Sequence, residues 1–163
     1  MLLSSSVVFS VNGKPTLKTF KYLVLPIWWS DEDSSDSSLT MSPTHIQDIY
    51  NQNKQYYDDM SWGKMDVTFQ VLPQTVFTIS SASPTFDATY DAAKAIVDSL
   101  GYVEDEDFNG INLVYFTAKT GVFSGAGGWA EVNGRFMWMS YELALDVTRH
   151  EIGHNFGHPH HGE

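Results

Sequence analysis

Residues 150–160 read HEIGHNFGHPH. Side chains four residues apart on a helix lie on one face, so His150 and His154 can reach a single ion. Gly157 predicts the end of that helix, because a glycine accepts the left-handed conformation that reverses the chain. After this turn, His160 can return to the same ion. The segment therefore predicts a helix followed by a tight turn, with three imidazoles converging.

A zinc site is the chemistry that this spacing favours. Neutral imidazole is a strong zinc ligand, and three histidines with one open position are typical of a catalytic site. We predict one catalytic Zn²⁺ bound by His150, His154 and His160. Glu151 follows the first histidine, and its longer side chain can reach a zinc-activated water and act as general base.

Alternatives to this ligand set remain open at the level of sequence. His158 and His161 are close competitors for the third ligand position. A solvated histidine cluster, like an expression tag, does not explain a glutamate and a glycine in register. A third ligand from a distant downstream glutamate is disfavoured by Gly157 and His160.

Strands and helices alternate upstream of this segment. In order, we predict a strand at Phe20–Trp29, a helix opened by Ser42 and Pro43 and closed by Gly63, a strand at Met65–Val71, a helix capped by Asp87 and closed by Gly101, and a strand at Ile111–Phe116. A strand–helix–strand order favours parallel pairing with right-handed crossovers, and so an α/β class.

A hairpin is predicted between the last of these strands and the histidine segment. Its strands are Val122–Ala130 and Arg135–Met139, joined at Asn133-Gly134, a pair suited to a tight type I′ turn. The glycine-rich stretch at 125–128 is interpreted as a bulge or flexible edge. A helix at about Tyr141–Phe156 then carries the first two histidines.

Composition excludes several classes of function. The chain has 163 residues, with 9 basic and 20 acidic side chains and a net charge of −11. A nucleic-acid or anionic-membrane surface is therefore not expected. The absence of cysteine excludes thiol catalysis, disulfides and cysteine-ligated zinc. No apolar run reaches the roughly 18 residues that a membrane-spanning helix needs.

The motif HEXXHXXGXXH at residues 150–160 is the signature of the metzincin zinc endopeptidases, which this sequence resembles. HEIGHNFG at 150–157 and YYDDMSWGKMDV at Tyr56–Val67 resemble the gametolysin branch in particular. The resemblance implies a zincin-like upper subdomain, with a twisted, mostly parallel sheet, two backing helices and an active-site helix. It also implies zinc ligation by the three histidines and general-base catalysis by the glutamate of the motif.

The same resemblance implies a protein or peptide substrate that pairs in extended form with an edge strand, which we place in the Val122–Met139 hairpin. It suggests extracellular-matrix or cell-wall proteins as substrates, and a secreted location. We interpret residues 1–163 as a single catalytic domain cut after the third zinc histidine, with the methionine-containing turn of metzincins expected beyond Glu163. The isolated chain is then expected to be an incomplete catalyst.

A competing hypothesis gives the chain a function other than catalysis. Under this hypothesis the chain is a non-catalytic extracellular binding module, or an inactive fragment, whose metal is structural or absent. It predicts ligand binding that neither a chelator nor a change at Glu151 affects. The sequence indicates no oligomeric state.

Overall fold

The computed structural model describes residues 19–82, 84–116, 127–142 and 144–160. Its helices and strands are β1 (Thr19–Trp28), α1 (Pro43–Met60), β2 (Asp66–Val71), β3 (Thr75–Val76), α2 (Phe86–Ser99), β4 (Gly110–Tyr115), β5 (Gly128–Ala130), β6 (Phe136–Ser140) and α3 (Leu145–Asn155). The predicted class is confirmed: an α/β fold with a mostly parallel sheet, an edge hairpin and three helices.

The sheet has the strand order β2-β1-β4-β6-β5, and the short β3 pairs with the end of β1. All of these pairs are parallel except β5 with β6, which is antiparallel. β4 lies at the centre, and all six of its residues are buried. Parallel strands that are covered on both faces have continuous apolar sequences, because both sets of side chains are buried. This explains the apolar runs in β1 and β4.

Two hydrophobic clusters lie on opposite faces of the sheet. Along β1, Leu23, Leu25 and Ile27 belong to one cluster, and Tyr22 and Val24 belong to the other. This alternation follows from the two-residue period of a strand. Helix residues in the clusters are Ala93 and Val97 of α2 on the first face, and Ile46, Tyr50 and Tyr57 of α1 with Ile152 of α3 on the second. The sheet thus separates α2 from the pair α1 and α3.

The N-terminus of α1 forms as the sequence predicts. Ser42 is the N-cap, its hydroxyl accepts a hydrogen bond from the His45 N–H, and Pro43 occupies the first turn. The helix ends at Met60, and Trp62 and Gly63 then both adopt positive φ, 58° and 67°. Two successive left-handed residues reverse the chain towards β2.

Two local predictions are wrong, and one short strand was not predicted. The N-cap of α2 is Thr85, not Asp87. Asp87 lies in the first turn of the helix, where its negative charge interacts favourably with the helix dipole. α3 begins at Leu145 rather than near Tyr141, because the Tyr141 N–H donates instead to the Tyr115 carbonyl oxygen at 2.7 Å. The strand β3, only two residues long, shows no periodicity to detect.

The connection between β5 and β6 also differs from the prediction. In the hairpin turn, residues 131–136, the Glu131 carbonyl oxygen accepts from the Gly134 N–H at 3.0 Å, and Asn133 alone has a positive φ, 57°. A type I′ turn needs positive φ at both central residues, so that turn is not formed. The predicted strand portion at residues 122–126 lies outside the described residues.

Within the described ranges, no helix combines the length and the apolar character needed to cross a membrane.

Candidate metal centre

His150 and His154 project from the same side of α3. Their Nε2 atoms lie 3.0 Å apart, as side chains one helical turn apart allow. Next to His150, α3 is held against α1, because the Tyr57 hydroxyl donates to the Arg149 carbonyl oxygen at 2.6 Å. A Cβ on Gly153 would lie 3.3 Å from that hydroxyl, so the glycine permits the close approach of the two helices.

Gly157 turns the chain so that a third histidine returns to the helix. It has a φ of 93°, and its N–H donates to the His154 carbonyl oxygen at 2.8 Å. The His158 N–H donates to the Gly153 carbonyl oxygen at 3.0 Å, which completes a left-handed helix cap. His160 Nε2 then lies 3.2 Å from the Nε2 atoms of both His150 and His154.

This triangle of nitrogens fits a tetrahedral metal ion. Two imidazole nitrogens that bind zinc at about 2.0–2.1 Å in tetrahedral geometry are about 3.3–3.4 Å apart. The three Nε2 separations of 3.0, 3.2 and 3.2 Å approach that spacing. Among the residues that the structure describes, His150, His154 and His160 form the one group of three ligating side chains within reach of a single ion.

The tautomer of His154 also suits metal binding. Its Nδ1 lies within hydrogen-bond distance of the His158 carbonyl oxygen. A carbonyl oxygen only accepts, so Nδ1 carries the proton and Nε2 keeps its lone pair for the ion. The main chain of His158 therefore orients a neighbouring histidine, and its ring is not in the cluster. His161, the other competitor, lies outside the described residues.

The surroundings of His150 favour its neutral form. Burial lowers the pKa of His150, and the neighbouring imidazoles of His154 and His160 lower it further. The neutral ring is the form that binds a metal ion.

Glu151 lies beneath the sheet edge next to the histidines. It is only 7% exposed. Burial raises the pKa of its carboxyl, although His154 and a hydrogen bond from the Ala130 N–H partly oppose this. A carboxylate with a pKa above its usual range is a stronger base, and this suits proton transfer near neutral pH.

Gly128 makes room for that carboxylate, a role that the sequence analysis missed. A Cβ on Gly128 would lie 2.9 Å from Glu151 Cγ and 2.6 Å from Met139 Sδ. In the sequence, the glycine-rich stretch at 125–128 was the only sign that side chains approach the backbone closely here. Gly128 lies within β5, opposite Met139, and residues 125–126 of the predicted bulge or flexible edge lie outside the described residues.

β5 is the last strand of the sheet on this side. Main-chain bonds link Gly127 to Ser140, and Glu131 to Phe136, across the hairpin. In an antiparallel pair the bonding direction alternates, so the main-chain groups of Gly128 and Ala130 face away from β6. Within the described part of the chain, no strand therefore pairs with the side of β5 next to Glu151, where the Ala130 N–H donates to that carboxylate.

A cleft of about 550 Å³ lies on the other side of the histidines. Its walls include Tyr56, Met60 and Met65 from the end of α1 and the segment after it. The Arg149 guanidinium stacks over the Tyr56 ring, 3.9 Å from the ring centroid. His150 and His154 are also among its lining residues, so the cleft lies next to the candidate metal centre.

Comparison with known proteins finds similarity among solved structures. No family model matches the chain, and no curated protein matches its sequence. Among solved structures, it is similar to the crystal structure of archaemetzincin from Methanopyrus kandleri, with 17% identity and a TM-score of 0.39. The alignment covers 88% of this chain and 77% of that one. A likeness at this level assigns neither a family nor an activity.

Proposed function

We propose that the chain is a zinc-dependent endopeptidase. The observation that carries the proposal is the convergence of three imidazole Nε2 atoms within 3.2 Å of one another, two of them on the helix that also bears Glu151. Three nitrogen ligands leave a tetrahedral ion one open position, which is typical of catalytic sites.

His150, His154 and His160 would hold the ion. When bound, zinc supplies Lewis-acid polarisation of the scissile carbonyl and makes water a stronger nucleophile. A carboxylate oxygen of Glu151 accepts a proton from the attacking water and returns it to the departing amine nitrogen. The peptide C–N bond breaks, and a carboxylic acid and an amine form.

The open edge of β5 supports a peptide as substrate. An extended chain can add to a free strand edge through main-chain hydrogen bonds, without requiring a particular side chain at each position. The main-chain groups of Gly128 that point away from β6 lie in the same strand edge that carries the Ala130–Glu151 contact. From the gametolysin resemblance alone, we further propose extracellular-matrix or cell-wall proteins as substrates, met outside the cell.

Zinc titration of four chains tests this function. We expect about one zinc per unaltered chain and retained binding in Glu151→Gln, whereas His154→Ala binds far more weakly. His45→Ala is the matched control, because His45 lies at the start of α1 and outside the cluster. Failure of the unaltered chain to bind zinc near neutral pH would overturn the proposal.

Hydrolysis of a peptide library then separates an enzyme from a binding module. The isolated chain is expected to cleave slowly at most, and we expect that cleavage to be chelator-sensitive and to be abolished by Glu151→Gln. Equal rates for Glu151→Gln and the unaltered chain would show that the assigned base is wrong. Zinc binding with no cleavage would instead favour the alternative, a non-catalytic module or an inactive fragment.

A further inference from the structure

The hairpin turn, residues 131–136, is bound to the C-terminal end of α3 by a buried amide. Asn155, the last residue of the helix, is 6% exposed. Its side-chain Nδ2 donates to the Glu131 carbonyl oxygen at 3.0 Å and to the Phe136 carbonyl oxygen at 3.3 Å. One side chain thus connects both ends of the turn to the helix.

A second contact joins the middle of the turn to the same helix end. The Asn133 N–H donates to the His154 carbonyl oxygen at 2.9 Å, and that oxygen also accepts from the Gly157 N–H. The Asn133 side chain occupies the space that a Cβ on Gly157 would need. The hairpin turn therefore lies against the point where the chain leaves α3 towards His160.

Contacts with these two asparagines connect the turn to the histidines. Asn155 fixes the hairpin turn, the turn places Asn133, and Asn133 contacts both the His154 carbonyl and Gly157. His160 lies three residues after Gly157, so any shift of the turn changes the direction from which its ring approaches the other two. A metal ion is sensitive to such shifts because its ligand distances vary little.

We propose that Asn155 is a positioning residue for the metal centre, acting on His160 through the hairpin turn. This inference rests on the zinc site proposed above. The side chain does not touch the ion. It holds the turn in place, so that the three rings are arranged before the ion binds, and zinc need not supply the free energy to order the third one.

The test measures metal affinity and coordination geometry together. Zinc affinity is obtained by competition with a chromophoric chelator, and Co²⁺ substitution reports geometry through its visible absorption. For Asn155→Ala we expect zinc affinity to fall about tenfold or more and the Co²⁺ spectrum to change, by analogy with residues that orient metal ligands. The Co²⁺ spectrum distinguishes a positioning role from a merely structural one.

Asn53→Ala is the matched control. Asn53 is also buried, also donates its side-chain amide to a main-chain carbonyl oxygen at 3.0 Å, and also has a buried Oδ1 without a hydrogen-bond partner. It lies in α1, and within the described residues no hydrogen bond joins its side chain to the hairpin turn. We expect Asn53→Ala to lose stability while keeping zinc affinity and the Co²⁺ spectrum.

If Asn155→Ala does not fold, Asn133→Gly tests the same contact between the hairpin turn and the end of α3. Glycine keeps the positive φ and the N–H at position 133 but removes the side chain beside Gly157, so a weaker affinity and a changed spectrum are again expected. Unaltered affinity and spectrum in a folded variant, with zinc binding by the parent chain intact, would overturn the positioning role alone. A parent chain that binds no zinc would overturn the proposed function and this inference together.

Discussion

The Tyr57 hydroxyl donates a 2.6 Å hydrogen bond to the main-chain carbonyl oxygen of Arg149, which joins α1 to the helix that carries the histidines. Tyr57 is 8% exposed, and its ring also packs edge-on against Phe156 at 5.0 Å between centroids. The contact fixes the distance between two helices on one face of the sheet.

Replacement of Tyr57 by Phe tests that contact. We expect a loss of about 1 kcal/mol in the free energy of unfolding, since the ring packing stays and one hydrogen bond is lost. Urea denaturation measures the change. Tyr56→Phe is the control, because that ring keeps its stacking beneath Arg149. An equal loss in both variants would show that the Tyr57 hydrogen bond contributes nothing specific.

Substitution of Gly128 by Ala tests the space beside the general base. The added Cβ forces Met139 or Glu151 to move, which we expect to cost about 1–3 kcal/mol of stability and to slow hydrolysis more than it weakens zinc binding. The free energy of unfolding, the zinc affinity and the rate of peptide cleavage are measured on the same preparation of the variant and compared with those of the unaltered chain. At Gly127 a Cβ would lie 3.4 Å from Val147, an ordinary contact, so Gly127→Ala should change hydrolysis little.

Substitution of Gly157 by Ala tests the turn to the third histidine. Left-handed φ costs a non-glycine residue about 1–2 kcal/mol, and the new Cβ also meets the Asn133 side chain. We expect lower stability and weaker zinc binding. Gly101 has a φ of 86° with nothing near its Cβ position, so Gly101→Ala should lose stability while zinc affinity stays unchanged. Equal zinc affinity in both variants would contradict the role given to Gly157.

Removal of zinc tests whether the ion binds the folded chain. A ligand that binds only the folded state at about 100 times its Kd adds about 2.7 kcal/mol to the free energy of unfolding. We therefore expect a chelator to lower the melting temperature of the unaltered chain. His150→Ala should melt at the same temperature with and without chelator. If the melting temperature of the unaltered chain is the same with and without zinc, the proposed zinc site is contradicted.

The sequence predicted the elements whose signals are local. The apolar run of β1, the cap at Ser42 and the alternation in β2 each follow from neighbouring residues, and the strand–helix order implies parallel pairing. The convergence of the three rings could be anticipated because helical spacing and Gly157 act within eleven residues of chain. That these rings bind zinc stays a prediction.

Features that depend on distant contacts were missed. The hairpin turn takes its shape from the Asn133 contact with His154, which no dipeptide preference contains. The start of α3 is set by Tyr141, whose hydroxyl accepts from the Ser42 N–H at the beginning of α1. The space at Gly128 is defined by Met139 and Glu151, eleven and more residues away.

The pairing of β1 with β4 has a consequence for how the molecule folds. Tyr22 lies opposite Gly110, so the central ladder joins segments from distant parts of the chain. Such high contact order slows folding, because the loop must close before its contacts form. The histidines are close in sequence, but α3 packs on β5 and β6, and β6 pairs with β4. The hairpin-turn contacts that hold the end of α3 therefore form only after this slow step, so a metal ion finds its fully ordered site late in folding.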